Sequence, residues 1–244
     1  ALRLNTGESL IFGGSRCFFC SRRLRWFELI PVVSYIALRG KCGSCAGRIS
    51  LQYPAVELAS GLLFLSLFLL QRGALGVSRG LPSGSVELIL ALAFFWLLLV
   101  LSVYDIRHQI LPDLLVGYAS GIAVIFVALR FFGDPRLIAA HFIAGAALFM
   151  FFAALWFFSG GRWMGLGDAK LAFVIGLFLG FPAAVTALFL SFWIGATVGI
   201  GWVLAQKMRT LKIPIPFGPF LAAGALIAYV WGGTLIEWYL RLVV

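Results

Sequence analysis

The chain has 244 residues, of which 62% are hydrophobic and only 11% are charged, and its formal net charge is +10. About a quarter of the residues of a soluble domain are charged, so this composition excludes an ordinary soluble protein. The basic excess does not indicate nucleic-acid binding, because basic residues also gather in the cytoplasmic loops of membrane proteins. We therefore expect an all-α polytopic membrane protein in a lipid membrane, with no nucleic acid among its partners.

The first 53 residues are polar and basic, and they contain the only four cysteines of the chain. The cysteines form two C-x2-C pairs separated by 21 residues: Cys17, Cys20, Cys42 and Cys45. Two such pairs are typical of a tetrahedral zinc site with four thiolate ligands and no open position, which is a structural site. The alternative is two disulfides, which a reducing cytoplasm disfavours. The start of the chain has no charged segment followed by an apolar one, so it does not resemble a signal peptide.

From residue 54 onward, apolar stretches recur that are long enough to cross a hydrocarbon core of about 30 Å. We predict seven helices, at about 54–71, 86–104, 112–132, 137–158, 168–181, 182–205 and 216–238. The fifth of these is short for a full crossing, so it is either tilted or shares its crossing with neighbouring glycine-rich backbone. The expected domains are a four-cysteine zinc module at 1–53 and a transmembrane helical domain at 54–244.

The distribution of basic residues predicts the orientation of these helices. If residues 1–53 are cytoplasmic, then 105–111, 159–167 and 206–215 lie on the same side. Together with Lys170 at the start of the next helix, that side holds 14 of the 19 lysines and arginines, in agreement with the excess of basic residues in cytoplasmic loops. We therefore expect the zinc module at the cytoplasmic face of the membrane.

Four of the nine acidic residues are predicted near cytoplasmic helix ends: Glu57, Asp105, Asp113 and Asp168. Asp113 follows Pro112 and has the default role of a helix N-cap, while Glu57 suits the first turn of a helix. Asp168 can cap the apolar helix that follows it. Asp105 is harder to explain, because it lies near a helix C-terminus, where the helix dipole disfavours an anion.

Asp105 and Asp168 are predicted on different helices at the same membrane face. Two carboxylates brought together cannot easily both ionise, and such a pair can share a proton. The ionised member can then act as a general base on water while the protonated member polarises a carbonyl group. The alternative is two unrelated caps, and the residue pattern by itself leaves both possibilities open.

Several segments together resemble the bacterial type IV prepilin peptidase family, of the G-x-G-D class of intramembrane aspartyl proteases. They are "SRCFFC", "LRWFELIPVVSYIALRGKCGSCAGRISLQYPAVELASG", "YDIRHQILPDLL", "GLGDAKL" and "IPIPFGPFLAAG". The resemblance implies that Asp105 and Asp168 are the catalytic pair. It also implies a zinc module on four cysteines, Cys17, Cys20, Cys42 and Cys45.

Members of this family cut the basic leader of type IV prepilins or type II secretion pseudopilins on the cytoplasmic side of the inner membrane. They then methylate the new amino terminus with S-adenosylmethionine. The resemblance implies both activities here, but no motif of this chain assigns a residue to that methyl donor. Members have eight membrane spans with the zinc module after the first, so we expect a first span upstream of this chain.

The segment "KIPIPFGPF", 212–220, is rich in proline and lies on the predicted cytoplasmic face. It is either a simple loop before a helix or a wall of the substrate cleft. Two rival functions also follow from the residues. A transporter or proton relay predicts acids near the bilayer midplane and paired half-helices, and a non-catalytic zinc-module scaffold predicts that both aspartates tolerate substitution.

Overall fold

The computed structural model describes residues 15–71, 85–205 and 216–243. Throughout these ranges the chain is helical apart from loops, turns and two isolated β-bridges, so the predicted all-α class is confirmed. The chain forms two compact units, residues 1–65 and 66–244. The start of the predicted zinc module, the predicted cytoplasmic loop 206–215 and the first four residues of "KIPIPFGPF" lie outside the described residues.

The first unit contains two cysteine loops, a 3₁₀ helix at Trp26–Leu29 and a short helix α1 at Val33–Ala37. The Val32 N–H donates a 2.8 Å hydrogen bond to Glu57 Oε2. This acid was predicted in the first turn of a helix, but α2 begins at Gln52, so that prediction is wrong. The helix can start before Pro54 because the first-turn N–H groups have no intrahelical acceptor, and proline there loses no bond.

Seven long or medium helices follow in the order that the apolar stretches predict. They are α2 (Gln52–Gln71), α3 (Ser85–His108), α4 (Asp113–Arg130), α5 (Pro135–Ser159), α6 (Leu166–Leu179), α7 (Ala183–Ala205) and α8 (Gly218–Val243). Among the described residues, every one of these except α6 is long and apolar enough to cross a membrane. The chain is therefore a multi-pass membrane protein whose sixth helix, of 14 residues, is too short to cross by itself.

The short helix α6 lies at the centre of the second unit, where it packs against α4, α5, α7 and α8. Its apolar side chains are buried almost all the way round, and Phe178 stacks between Phe94 of α3 and Phe126 of α4 at centroid distances of 4.0 and 4.3 Å. A helix that is apolar on every side needs surrounding protein or lipid. Its neighbours provide that cover, so α6 does not need the length of a membrane-spanning helix.

Two glycines allow α5 and α6 to approach closely. A Cβ atom added at Gly176 would lie 2.8 Å from the carbonyl oxygen of Ala144 and 2.8 Å from the Cα of Gly145. A Cβ at Gly145 would in turn lie 2.8 Å from the carbonyl oxygen of Phe173. Helices in lipid associate largely through such close backbone packing of small residues, because lipid offers them no hydrophobic driving force.

We expect Gly176→Ala to destabilise the second unit, because its methyl group would be forced into the backbone of α5. Overpacking of this kind costs about 1–3 kcal/mol, measurable by thermal or denaturant unfolding in detergent micelles. Gly201→Ala in α7 is the matched control, since nothing lies within 4 Å of its added Cβ. Equal stability of Gly176→Ala and Gly201→Ala would contradict this view of the α5–α6 contact.

Candidate functional site

The first cysteine loop is closed by backbone hydrogen bonds. Arg16 and Arg23 form an antiparallel bridge. Inside it, the Cys17 N–H donates to the Arg22 carbonyl and the Ser21 N–H donates to the Cys17 carbonyl, both at 2.9 Å. Ser21 has a left-handed φ of 55°, which lets the chain reverse within a few residues.

The second cysteine loop repeats this arrangement 25 residues later. Lys41 and Arg48 form the bridge, the Cys42 N–H donates to the Gly47 carbonyl at 2.9 Å, and the Ala46 N–H donates to the Cys42 carbonyl at 3.0 Å. Ala46 has a φ of 54°, which matches Ser21 of the first loop. The two C-x2-C pairs therefore lie on two loops of the same conformation.

The four cysteine sulfurs converge: the Sγ atoms of Cys17, Cys20, Cys42 and Cys45 all lie within 4.8 Å of one another. The Sγ atoms of Cys17 and Cys45 are 3.8 Å apart. Tetrahedral zinc with Zn–S bonds of about 2.3 Å requires sulfurs separated by about 3.8 Å. The four sulfurs therefore fit a tetrahedral metal ion, and none of them forms a disulfide.

The loop backbone favours the thiolate forms of Cys17 and Cys42. The N–H groups of Cys45 and Ser44 interact with the Cys42 sulfur and lower the pKa of its thiol to about 6, and those of Cys20 and Phe19 lower the pKa of the Cys17 thiol. A thiolate is the form that binds a metal ion.

Arg22 lies beside the same cluster. Its side chain interacts with the Cys42 sulfur and forms a 2.6 Å ion pair with Glu28. A site of four thiolates around one zinc ion carries a charge of −2, which a nearby guanidinium offsets. The ion pair with Glu28 holds that guanidinium in place.

Asp105 lies in the last turn of α3, as the sequence predicts. Its side chain is only 5% exposed, although carboxylates are almost never fully buried without a partner. The partner is the backbone N–H of Gly218, which donates a 3.0 Å hydrogen bond to Asp105 Oδ2. The residue that donates to Asp105 is thus the first residue of α8. The sequence pattern did not predict this contact.

Asp168 is the third residue of α6, which begins at Leu166, so it does not occupy the cap position itself. Its half-buried carboxylate interacts with the backbone N–H of Gly165, the residue at the cap position. A carboxylate in the first turn of a helix interacts favourably with the free N–H groups and the dipole at the helix start. Asp168 therefore stabilises the start of α6 from inside its first turn.

The fold brings Asp105 and Asp168 together, although 62 residues separate them along the chain. The short connection between α3 and α4 packs on the start of α6, where a Cβ at Gly167 would lie 3.2 Å from Leu111 Cβ. The two carboxylates are near enough for their negative charges to repel each other. The result is a pair of carboxyl groups at the junction of α3, α6 and α8.

Asp113 and Lys170 form a separate ion pair across α4 and α6. Lys170 Nζ lies 2.6 Å from Asp113 Oδ1, and the side chain of Asp113 is 76% exposed. Asp113 was predicted to cap α4, but Pro112 holds the cap position and no cap hydrogen bond is made. Asp113 is instead the first helical residue, and its carboxylate pairs with a cation on α6.

A cavity of about 480 Å³ lies between α4, α5 and α6. The Asp113–Lys170 ion pair belongs to its lining, which is otherwise largely apolar and includes Phe149 and Phe173. The cavity lining does not include either Asp105 or Asp168. It is therefore distinct from the junction that holds the two carboxyl groups.

Two families of known sequences match this chain. The family described as "Bacterial Peptidase A24 N-terminal domain" matches residues 1–71, and the "Type IV leader peptidase family" matches residues 92–200. The first match contains the four cysteines, and the second contains Asp105 and Asp168. No solved structure matches the chain.

Several curated relatives are similar over most of their length, and each is named prepilin leader peptidase/N-methyltransferase. The protein of Bacillus subtilis (strain 168) is 35% identical over 240 residues, which cover 96% of this chain and 88% of the relative. That of Pseudomonas aeruginosa is 34% identical, covering 96% and 77%, and that of Aeromonas hydrophila is 35% identical, covering 95% and 76%. With identity at this level across nearly the whole chain, and with both domain matches in order, this protein belongs to the type IV leader peptidase family.

Proposed function

We propose that this protein is a membrane aspartyl peptidase that removes the basic leader of type IV prepilins or type II secretion pseudopilins. Cleavage takes place at the cytoplasmic face of the bacterial inner membrane, the face on which most lysines and arginines of this chain are predicted to lie. The names of the relatives support the reaction, and the six helices of membrane-spanning length among the described residues support the location in a membrane.

The proposal rests mainly on one observation, which is that the carboxyl groups of Asp105 and Asp168 are near enough to interact electrostatically. They come from different helices, both are removed from water to a large extent, and they repel each other electrostatically. Two like charges that are brought together destabilise a fold, and a proton bound by one of the two groups relieves this repulsion. A carboxyl pair that shares one proton is the arrangement by which aspartyl proteases activate water.

The reaction follows from that shared proton. The ionised carboxylate takes a proton from a water molecule as the water oxygen bonds to the scissile carbonyl carbon, while the protonated carboxyl group hydrogen-bonds to the carbonyl oxygen. The tetrahedral intermediate then collapses, the C–N bond breaks, and a carboxyl group returns a proton to the leaving amine. The products are a free leader with a new carboxylate and a mature protein with a new amino terminus.

The position of the pair favours a peptidase over a transporter. Asp105 lies in the last turn of α3 and Asp168 in the first turn of α6, so both occupy helix ends rather than helix centres. Carboxylates at helix ends can reach a peptide that approaches from the membrane surface. Transport sites, in contrast, are typically formed near the bilayer midplane.

We further propose that the new amino terminus is methylated, with S-adenosylmethionine as the methyl donor, because the relatives are named N-methyltransferases. That donor carries an ammonium, a carboxylate and a sulfonium group. In the cavity between α4, α5 and α6, the one carboxylate and the one ammonium bond to each other at 2.6 Å, and the rest of the lining is largely apolar. The cavity therefore does not fit S-adenosylmethionine, and we assign no residue to the binding of this methyl donor.

For the four-cysteine cluster we propose structural zinc. Sulfur ligands at tetrahedral spacing suit Zn²⁺, and four protein ligands leave no position for a substrate. The two loops have few buried residues, with only Gly40 and Cys42 buried among residues 15–50. A metal ion that cross-links both loops can supply the folding free energy that such a small core lacks.

We expect Asp105→Asn and Asp168→Asn each to lower the rate of leader cleavage by roughly 10²–10⁴-fold or more, because each removes a group needed to move protons. The measurement uses the protein reconstituted in lipid vesicles and a peptide with a basic leader, a glycine and an apolar helix. Asp113→Asn is the matched control. It removes an exposed ion pair, which contributes little, so cleavage should persist. Cleavage by both catalytic-pair variants at the wild-type rate would contradict the proposal.

The purified protein should contain one zinc ion per chain, measurable by atomic emission. Cys17→Ser and Cys42→Ser should each lose the metal, because a serine hydroxyl does not replace a thiolate ligand. Loss of the metal should make residues 15–50 more sensitive to an added protease before it lowers the rate at which the protein cleaves the leader peptide. Ser44→Ala, between the ligands of the second loop, should keep the zinc. A metal content that is unchanged in both cysteine variants would overturn the proposed site.

A further inference from the structure

The start of α8 is arranged so that one backbone N–H is available to a partner outside the helix. The Phe217 carbonyl already accepts hydrogen bonds from the N–H groups of Phe220 and Leu221, at 3.0 and 3.1 Å. Pro219 has no N–H to donate. The N–H of Gly218 is therefore the first donor of the helix, and it points to Asp105 Oδ2 at 3.0 Å.

Gly218 is held in place by the aromatic ring of the preceding residue. The Phe217 ring lies 5.9 Å from that of Phe152 on α5 and 5.2 Å from that of Phe192 on α7, measured between ring centroids. Aromatic pairs at these separations stabilise a packing arrangement beyond the area that they bury. The start of α8 is thus fixed by two helices other than α3, which carries Asp105.

The contact requires a glycine for reasons of space. A Cβ atom at residue 218 would lie 2.7 Å from Asp105 Oδ2 and 3.4 Å from its Cγ. The backbone φ of Gly218 is not in the left-handed region, so the conformation itself would accept another residue. Only the close approach of the carboxylate excludes a side chain here.

We propose that Gly218 is a positioning residue for leader cleavage: its N–H holds one oxygen of the Asp105 carboxyl group and leaves the other oxygen for the reaction. This inference rests on the proposed function, because it gives Gly218 a role in the reaction that Asp105 and Asp168 carry out. A hydrogen bond to one oxygen fixes the rotation of the carboxyl group. The proton shared with Asp168 then has a defined direction of transfer.

Two variants test this role. In the first, Gly218→Ala adds a methyl group that must displace the Asp105 carboxyl group. In the second, an ester replaces the peptide bond between Phe217 and Gly218, which removes the N–H donor and adds no atom. Gly233→Ala on the same helix is the control, since nothing lies within 4 Å of its added Cβ. The readouts are kcat and KM for a prepilin-type peptide in lipid vesicles.

We expect kcat of the ester variant to fall roughly 10- to 100-fold, the effect of losing one hydrogen bond to an ionisable group. Its KM should stay within about twofold of wild type, since the bond positions a reacting group and does not hold substrate. Gly218→Ala should lower kcat at least as much, and Gly233→Ala should match the wild type. If Gly218→Ala fails to fold, the ester variant still gives the answer.

A wild-type kcat in the ester variant would overturn the positioning role, as would a higher KM at unchanged kcat. The outcome for the proposed function is separate. If wild type cleaves and the Asn variants of Asp105 and Asp168 do not, the peptidase stands whatever Gly218 does. If wild type does not cleave the peptide at all, both proposals fail.

Discussion

Holding two carboxyl groups side by side in an apolar helix bundle costs free energy, because both lose contact with water and their negative charges repel each other. Asp105 and Asp168 are in this situation, and the rest of the second unit compensates for it. The N–H of Gly218 donates to Asp105, and the N–H of Gly165 interacts with Asp168. Each carboxyl group therefore lies near a backbone N–H at the start of a helix, where unpaired N–H groups and the helix dipole favour an anion.

The packing around α6 explains how the pair is brought together. The start of α6 packs on the connection that follows α3, where a Cβ at Gly167 would lie only 3.2 Å from Leu111 Cβ. Gly167 leaves that space for Leu111, and Gly176 with Gly145 lets α5 press against the far half of α6. The glycines of "GLGDAKLAFVIG" thus serve close packing as well as the turn before the helix. Each of the two units has its own candidate site: the first holds four cysteine sulfurs at metal-binding distance, and the second holds the carboxyl pair.

The sequence predicts the all-α class, the number and order of the helices, and the four-cysteine cluster. It does so because apolar length and C-x2-C spacing are local properties of the chain. It also singles out Asp105, since an acid near a helix C-terminus has no ordinary structural role. The contact between Asp105 and Asp168 needed the resemblance to a family or the structure, because 62 intervening residues leave their distance undefined.

The details that sequence reasoning missed all depend on three-dimensional contacts. Asp113 pairs with Lys170 across two helices instead of capping its own. Glu57 accepts the N–H of Val32, 25 residues earlier. The donor to Asp105 is a backbone N–H, which every residue type except proline possesses. The residue pattern therefore cannot identify this donor. The only available signal was the crowding of glycine and prolines in "IPIPFGPF", which suggested a cleft wall and equally a loop.

Infrared titration of the carboxyl groups can establish whether Asp105 and Asp168 form one pair that shares a proton. Spectra of wild type, Asp105→Asn and Asp168→Asn in lipid vesicles, recorded across a range of pH, would report the protonation of each carboxyl group. Coupled groups titrate as a pair rather than as individual residues. We expect that replacing either aspartate changes the pH at which the other one titrates. Two aspartates that each titrate at the same pH whether or not the other is present would show that they do not form such a pair.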